Sequence, residues 1–295
     1  MAVRGIERVA QQIGISSSYL STIVRRCDWQ YKAFYRTKRS RDLRRIEAPN
    51  TTLKAIQRWI LLNVLERVPV SERAQGFVKH RGIRNNAAYH LGRRYLLTID
   101  IKDFFPSIKR DRVRDVFLEA TNDVDAAEIY SALCTFRDRL PQGGVTSPIL
   151  SNLVFRPADA KIIDVCSRGN VTYSRYADDM TFASNDFQAL KAIYNQVENI
   201  VKSEGFRINR KKTRYSSGNN RMLVTGLTLN SGRLTTGRQR KRRIRAALYN
   251  HIVNNDPSVN MNNVLGEIAF IRGIEDDYYV RVQVYVAKLT AASST

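Results

Sequence analysis

The chain has 295 residues, and its 49 lysines and arginines against 27 aspartates and glutamates give a formal net charge of +22 at pH 7. This excess is more than solubility requires and indicates a polyanionic partner such as nucleic acid. The sequence has no run of about 18 apolar residues and no apolar stretch of a signal peptide, which argues against a membrane helix and predicts a cytoplasmic protein. Its cysteines, Cys27, Cys134 and Cys166, stand singly, which favours reduced thiols over a zinc site or a disulfide framework.

Residues 6–23 are the first segment with an interpretable pattern, because apolar positions lie on both sides of Gly14. The pattern resembles the two helices and glycine turn of a helix-turn-helix, although two ordinary packed helices would produce the same pattern. It leaves open a DNA-binding regulator without enzymatic activity.

An aromatic and basic stretch from Phe34 to Arg45 predicts a basic β-hairpin that ends at residues 46–49. A solvated surface hairpin would have the same composition. Asn50 or Thr51 then caps a predicted helix, whose buried stripe is Leu53, Ile56, Ile60 and Val64.

The apolar run 95–101 predicts a central strand that carries one carboxylate, Asp100, near its end. A buried aspartate without a partner is strongly destabilising, so Asp100 requires a compensating group. The chain then turns at residues 102–107 into a predicted helix with Val113, Val116 and Phe117 on its apolar face.

The region after the loop at residues 140–148 predicts a long helix, a hairpin, a second helix and a last short strand. The helix begins near Ser147, the hairpin spans residues 171–183, and Asn185 or Asp186 caps the second helix before a strand at 206–209. Together with the strand at 95–101 this gives the order β-α-β-β-α-β, the split βαβ topology. In that topology Asp100 and the hairpin tip belong to neighbouring central strands.

Two adjacent carboxylates, Asp178 and Asp179, form the tip of that hairpin. Aspartate is a good turn residue, so a solvated turn is one interpretation. The other is a hard-metal site, because Mg²⁺ takes oxygen ligands and usually binds one or two protein carboxylates together with substrate phosphates. The convergence with Asp100 favours the metal site.

Residues 206–245 contain thirteen lysines or arginines and no aspartate or glutamate. Such a run is often only a solvated face. Here Ile244, Leu248 and Ile252 continue it with helical spacing, which predicts an ordered amphipathic helix with a basic face.

Four of these features, in this order and spacing, resemble the palm and fingers of reverse transcriptases: the Asp100 strand, the Gln142-Gly143 loop, the Tyr-Ala-Asp-Asp hairpin and the region of Lys212. Two motifs resemble the retron branch of that family, namely Asn-Ala-Ala-Tyr-His at 86–90 and Val-Thr-Gly at 224–226. The length of the chain is a third feature that resembles this branch, because we expect it to leave no room for a nuclease domain. The resemblance covers roughly residues 30 to 295.

The resemblance implies an α+β fold of the right-hand polymerase type, with fingers, a palm built on a split βαβ sheet, and a small basic helical thumb. The expected divisions are an N-terminal helical segment at 1–30, fingers at 31–97, a palm at 98–230 with a fingers insertion around 120–150, and a thumb at 231–295.

The resemblance also implies site residues. Asp100, Asp178 and Asp179 are expected to be catalytic and to hold two Mg²⁺ ions together with the carbonyl of Ile101. Backbone amides around Asp103 and Phe104 are expected to hold the triphosphate, and Phe105 to exclude a ribose 2′-OH. The other expected nucleotide-binding residues are Lys38, Arg39, Arg45, Gln142, Gly143 and Lys212.

For RNA binding the resemblance implies two groups of residues. The first comes from the retron motifs: Asn86, Ala87, His90, Val224, Thr225 and Gly226. The second lies on the predicted thumb helix: Arg238, Arg240, Lys241, Arg242, Arg243 and Arg245.

The implied activity is RNA-directed DNA synthesis on a dedicated structured RNA, primed from an internal guanosine 2′-OH to give branched RNA–DNA (msDNA). The implied partners are that RNA and its RNA–DNA product, deoxynucleoside triphosphates and an accessory effector protein in an anti-phage defence system, with no membrane partner. An intron-like reverse transcriptase with ordinary 3′ priming remains an alternative, beside the helix-turn-helix regulator.

Overall fold

The N-terminal part of the chain is a helix pair followed by a β-hairpin, in a computed structural model that describes residues 3–37, 43–218 and 220–293. Helices α1 (Val3–Ile13) and α2 (Ser17–Arg25) contribute to the main hydrophobic core of the molecule. Strands β1 (Tyr31–Thr37) and β2 (Leu43–Pro49) pair antiparallel, which confirms the predicted hairpin. Its expected nucleotide-binding residues Lys38 and Arg39 lie outside the described residues.

Two helices follow the hairpin. Helix α3 (Thr51–Asn63) begins where the sequence predicts, because the Asn50 side chain accepts a hydrogen bond of 2.9 Å from the backbone N–H of Leu53. Helix α4 (Ile83–Ala88) is short and carries the first retron-like motif.

A four-stranded antiparallel sheet forms the centre of the molecule. Its strands are β3 (Tyr95–Asp100), β4 (Thr172–Tyr176), β5 (Asp179–Ser184) and β6 (Arg214–Ser217), in the spatial order β4-β5-β3-β6. This is the predicted split βαβ order. The connecting helices are α5 (Phe104–Ser107), α6 (Arg110–Thr121), α7 (Val124–Cys134), α8 (Ser147–Arg168) and α9 (Phe187–Ser203).

The last strand of this sheet lies later in the chain than predicted. The sequence places it at 206–209, whereas the structure gives only an isolated bridge between Ile101 and Ile208 there and a paired strand at 214–217. Residues 207–209 do bond at the end of β3, since the N–H of Asn209 donates to the Asp100 carbonyl at 2.7 Å and the N–H of Lys102 donates to the Arg207 carbonyl at 2.8 Å. A single 3-10 turn at Arg210–Lys212 then interrupts the pairing, so the ladder with β3 begins only at Arg214. The Phe206 ring before this bridge is held by aromatic packing, 5.6 Å from that of Phe104 and 5.0 Å from that of Phe155, between centroids.

The C-terminal part contains a small hairpin and a helical bundle. The hairpin consists of β7 (Leu223–Val224) and β8 (Leu227–Thr228). Helices α10 (Arg238–Ile252), α11 (Met261–Arg272) and α12 (Asp276–Ser293) form the bundle, which we call the C-terminal bundle. Its buried residues, which include Ile244, Ile268 and Val282, form a hydrophobic cluster separate from the main core.

No helix in the described part of the chain is both long and apolar enough to span a bilayer.

Candidate active site

The three carboxylates singled out by the sequence lie at the ends of paired strands. Asp100 is the cross-strand partner of Asp179, and the backbone N–H of Ile101 donates a hydrogen bond of 2.9 Å to the carbonyl of Asp178. Asp100 is 6% exposed, Asp178 is half-buried and Asp179 is exposed. The predicted convergence of the Asp100 strand with the hairpin tip is therefore present.

Asp100 has the compensating partner that its burial requires. The ammonium Nζ of Lys212 lies 2.7 Å from Oδ2, and the side-chain amide of Asn209 donates to Oδ1 at 3.1 Å. The pKa of Lys212 is raised by its hydrogen bond to Asp100 and by the negative charges of Asp100, Asp178 and Asp179. Lys212 is thus charged, and its single ammonium offsets part of the negative charge of the carboxylate cluster from the solvent side.

The other two carboxylates have raised pKa values. Desolvation raises the pKa of Asp179 to about 6, and the negative charges of Asp178 and Asp100 contribute to that increase. Desolvation also raises the pKa of Asp178, with a further contribution from Asp100. A site with these properties favours the uptake of additional positive charge.

The donor chemistry fits magnesium, although the side chains are not gathered around a common point. In residues 3–37, 43–218 and 220–293, no three His, Cys, Asp or Glu side chains lie close enough to hold a metal ion together. Asp100 is bonded to Lys212 instead. Carboxylate oxygens are nevertheless the ligands that Mg²⁺ prefers, and it needs only one or two of them. A cation bound by Asp100 would compete with Lys212 for Oδ2.

The segment expected to hold the nucleotide begins directly after β3. Asp103 has a left-handed backbone conformation with φ +48° and precedes α5. Phe104 is buried against Phe155, whereas Phe105 is half-buried and its ring lies 6.2 Å from that of the exposed Phe77, between centroids. Part of the Phe105 side chain is therefore accessible, and Phe105 remains the predicted sugar-selecting residue.

The Gln142-Gly143 loop is fixed to strand β2. The backbone N–H of Glu47 donates to the Gln142 carbonyl at 2.8 Å, and a Cβ on Gly143, whose φ is +137°, would lie 2.9 Å from the Glu47 carbonyl oxygen. The buried Glu47 carboxylate accepts from Arg139 at 2.7 Å and lies 3.3 Å from Nε of Arg45. The structure thus brings three of the expected nucleotide-binding residues, Arg45, Gln142 and Gly143, to one edge of the hairpin.

Asn86 and His90 are fully buried, which differs from the expected direct contact with RNA. They are four residues apart and so face the same side, where α4 meets β4. The hydroxyl of Ser174 is 2.8 Å from Asn86 Oδ1 and 2.7 Å from His90 Nε2. Burial lowers the pKa of His90 to about 3, with smaller contributions from the charges of Arg93 and Arg73, so its imidazole is neutral. Ala87 is also buried.

The second retron-like motif contacts the first. Thr225 and Gly226 have positive φ values of 47° and 84° and form the two-residue turn between β7 and β8. The Thr225 hydroxyl lies 3.5 Å from Nδ2 of Asn86 and 3.4 Å from the carbonyl of Ile83. Val224 is buried and Gly226 is exposed, so only the tip of this turn is available to a ligand.

The six basic residues expected to bind RNA on α10 divide into two sets. Arg240 pairs with Glu267, Lys241 pairs with Glu275, and Arg245 lies over the ring of Tyr285, all within the C-terminal bundle. The exposed residues Arg238, Arg242 and Arg243 form no salt bridge with any residue that the structure describes. The basic run in the sequence does not show which of its residues are paired, because the acidic partners Glu267 and Glu275 lie more than twenty positions later in the chain.

A fully buried arginine beside the hairpin tip, Arg175, was not identified from the sequence. It forms an ion pair of 2.6 Å with Asp159 of α8. The sequence shows only that Arg175 is a charged residue within strand β4, whose other residues are mostly of types that suit a buried strand. Nothing in the sequence indicates that its partner, Asp159, lies 16 positions earlier in the chain.

Comparisons with known proteins show the family of this chain. Residues 36–229 match the family described as reverse transcriptase (RNA-dependent DNA polymerase). The retron Ec86 reverse transcriptase of Escherichia coli is 32% identical, with 93% of this chain and 86% of that protein covered. The retron Ec73 reverse transcriptase of the same species is 32% identical over 83% of each chain. The retron Mx65 reverse transcriptase of Myxococcus xanthus is 34% identical, and the match spans 85% of this chain and 63% of that protein.

A solved structure, apo telomerase from Candida tropicalis, shares the fold. The TM-score is 0.54 at 11% identity, with 88% of this chain and 58% of that chain covered. This likeness supports the right-hand polymerase architecture with mixed helices and sheets. The family match overturns the alternative of a regulator without enzymatic activity, and residues 6–23 are a packed helix pair that contributes to the main core. The chain belongs to the retron-type reverse transcriptases and is an RNA-directed DNA polymerase.

Proposed function

We propose that this polymerase copies a structured non-coding RNA of its own, and that it starts at an internal guanosine 2′-OH of that RNA to give branched RNA–DNA (msDNA). One observation carries this proposal: Asn86 bonds both Thr225 and Ser174, so the two retron-like motifs are joined to each other and to strand β4. Strand β4 leads directly into the turn with Asp178 and Asp179. An RNA held at the exposed tip of the β7–β8 turn would therefore have a fixed position relative to the carboxylates.

We assign the chemistry to Asp100, Asp178 and Asp179, with the Ile101 carbonyl as a further ligand of two Mg²⁺ ions. Bound magnesium would stabilise the charge on the attacking and leaving oxygens during nucleotide transfer. The chain's own residues orient the reactants. Lys212, whose side chain is 59% exposed, can exchange Asp100 for the phosphates of the incoming nucleotide and neutralise their charge.

The remaining nucleotide contacts come from the hairpin and from the turn after β3. Backbone amides near Asp103 and Phe104 face the triphosphate, and Arg45 reaches it from β2 together with Lys38 or Arg39. Phe105 lies against the sugar. Gln142 and Gly143 support the new base pair from the loop that is bonded to β2.

We propose for this arrangement the divisions expected from the sequence: an N-terminal helical segment at 1–30, fingers at 31–97, a palm at 98–230 with a fingers insertion around 120–150, and a thumb at 231–295. The thumb would grip duplex nucleic acid through the exposed face of α10. We further propose an accessory effector protein and a role in anti-phage defence, which rest on the retron relationship alone.

The priming site is tested by isolating the product formed on the cognate RNA, treating it with a debranching enzyme and sequencing across the junction. An internal 2′-OH reacts only if the folded RNA is held in one register, so positioning supplies much of the rate. Replacing Asn86 and His90 together by Ala should abolish the branched product and preserve extension of a DNA primer annealed to a generic template. The exposed neighbour Asn85→Ala is the matched control and should retain branching. A linear product with an ordinary 3′-primed junction would support the intron-like alternative instead.

The carboxylate assignment is tested separately by Asp178→Asn. This variant should lose nearly all polymerisation and keep its affinity for RNA, because transition-state charge depends on the carboxylates whereas RNA affinity comes from lysine and arginine side chains. Asp164→Asn, a change in an exposed ion pair of α8, should leave both properties intact. Extension at the wild-type rate by Asp178→Asn would refute the assignment.

A further inference from the structure

The Arg175–Asp159 ion pair is the most completely buried charge pair among the described residues, with both side chains 0% exposed. Nε of Arg175 donates to Oδ1 of Asp159 at 3.0 Å, and Nη2 donates to Oδ2 at 2.6 Å. The Tyr173 hydroxyl also donates to Asp159 at 2.7 Å. The guanidinium lies over the ring of Phe155, 4.6 Å from its centroid. Burying two charges is costly, and hydrophobic residues of similar volume often stabilise a fold equally well.

The remaining nitrogen of the guanidinium, Nη1, reaches the turn that carries the carboxylates. It donates to the carbonyl of Ala177 at 2.9 Å and to Oδ1 of Asn152 at 3.0 Å. Ala177 directly precedes Asp178 and has a left-handed conformation with φ +58°. This conformation costs a residue with a Cβ about 1–2 kcal/mol, so it persists only where the surroundings fix it.

The backbone around Arg175 completes a rigid frame. Its N–H donates to the carbonyl of Arg73 at 2.8 Å, and its carbonyl accepts from Gln75 at 2.7 Å. The Asn152 amide donates to the carbonyl of Gly76 at 2.8 Å, and a Cβ on Gly76 would lie 2.8 Å from the backbone nitrogen of Ala177. The turn is therefore held from two sides, by α8 and by the segment 73–76.

We infer that Arg175 is a positioning residue, which uses its ion pair with Asp159 to aim one N–H at the Ala177 carbonyl and so fixes the orientation of Asp178 and Asp179. A hydrophobic replacement could fill the same space, but it could not hold a carbonyl oxygen. This inference rests on the proposed catalytic role of the two aspartates.

The test compares Arg175→Lys with a matched control, Arg112→Lys. Lysine keeps the charge of Arg175, but one ammonium group cannot reproduce the bidentate pair and the bond to Ala177. Arg112 is also an arginine that donates to backbone carbonyls, at 2.9 Å to Glu204 and 3.2 Å to Val154, and it stacks on a ring, that of Phe206. None of these contacts involves the turn.

The first readout is amide hydrogen exchange at Ile101, whose N–H is bonded to the Asp178 carbonyl at 2.9 Å. We expect exchange to become about tenfold faster in Arg175→Lys, because the bond depends on the placement of the turn. The second readout is steady-state kinetics, in which kcat should fall about 100-fold while KM for the nucleotide changes less than about twofold. Arg112→Lys should leave both unchanged, whatever its melting temperature.

A wild-type exchange rate at Ile101 and a wild-type kcat in folded Arg175→Lys would overturn the inference. An equal increase in exchange and an equal fall in kcat in Arg112→Lys would also overturn it, because the effect would then be a general loss of stability. If Arg175→Lys does not fold, Asp159→Asn decides the question by the same two readouts, since it removes the charge that orients the Arg175 guanidinium and keeps the shape of the side chain. Wild-type exchange and wild-type kcat in folded Asp159→Asn would overturn the inference. Asp178→Asn separates the two hypotheses. Its activity at the wild-type rate would defeat the catalytic assignment, whereas its inactivity beside a fully active Arg175→Lys would defeat only the positioning role.

Discussion

Replacing Arg238, Arg242 and Arg243 together by Gln should weaken RNA binding without destabilising the C-terminal bundle. All three side chains are exposed on α10, and the structure shows no salt bridge from them to any described residue. If they face the phosphates of bound nucleic acid, each contact releases counterions on binding. The effect should then be similar for all sequences and should depend strongly on salt.

The magnitude follows from the number of free charges. Each phosphate contact contributes about 0.7 to the slope of log affinity against log salt for single strands and about 0.9 for duplex, so three contacts contribute about 2.1–2.7. We take the affinities of the variant and the wild type as equal at about 1 M salt, where these electrostatic contributions vanish. At about 0.1 M salt, one decade lower, the slope difference then predicts that the variant binds RNA about 100- to 500-fold more weakly than the wild type.

Fluorescence anisotropy of a labelled RNA, titrated at several salt concentrations between about 0.1 and 0.5 M, measures the slope. One control is the triple change Lys161→Gln, Arg168→Gln and Lys202→Gln, which removes the same charge from exposed positions on α8 and α9. A second control, Arg240→Gln with Lys241→Gln, breaks ion pairs inside the bundle and should lower its melting temperature more than it changes the slope. An unchanged slope in the Arg238, Arg242 and Arg243 variant, or an equal change in the first control, would refute the assignment of this face.

Three other predictions concern single side chains. Phe105→Ala should admit ribonucleotides while retaining some use of deoxynucleotides, and equal discrimination by both proteins in single-nucleotide extension would make Phe105 only a packing residue. Glu47→Gln should raise KM for the nucleotide several-fold, because the carboxylate that orients Arg45 is lost, and an unchanged KM would show that Arg45 is oriented by other means. His90 has a pKa near 3 in the folded state, below its unfolded value, so its contribution to stability is complete above about pH 6.5 and is lost as pH falls. Between pH 7 and pH 5 it should account for about 2 kcal/mol of the loss in unfolding free energy measured with denaturant. His90→Gln should flatten that dependence and the exposed His251→Gln should not, and parallel curves for His90→Gln and the wild type would contradict the assignment.

The sheet was predictable because its signals are local. An apolar run ending in Asp100, a hairpin around Asp178 and Asp179, and two capped helices give the topology in chain order, and the structure confirms it. The last strand was misplaced because residues 206–209 have residue types typical of a strand but form only an isolated bridge, whereas the paired strand begins at Arg214 after a 3-10 turn at Arg210–Lys212. The Phe206 ring packs with Phe104 and Phe155, about 50 to 100 positions earlier, and contacts of this range leave no local periodicity.

The sequence predicted which residues lie near the candidate site, but it did not predict which of their side chains are buried. The motif at 86–90 predicted polar side chains for RNA, yet Asn86 and His90 both bond to Ser174 of β4. The exposed residues of this segment include Asn85 on α4 and Tyr89 just after it. A helix of six residues is too short for its buried face to be determined from its own periodicity. The roles of the three aspartates in metal binding and catalysis remain predictions, which Asp178→Asn tests.

The separate hydrophobic cluster of the C-terminal bundle has a consequence for local unfolding. Ile244, Ile268 and Val282 belong to a hydrophobic cluster that is separate from the main core. We therefore expect the bundle to unfold as an independent cooperative unit. Its amides should exchange through an opening that leaves the β3–β5 pair intact. Nucleic acid bound to α10 would suppress that opening in proportion to ligand concentration, so protection confined to residues 238–293 would report RNA occupancy even in a catalytically inactive enzyme.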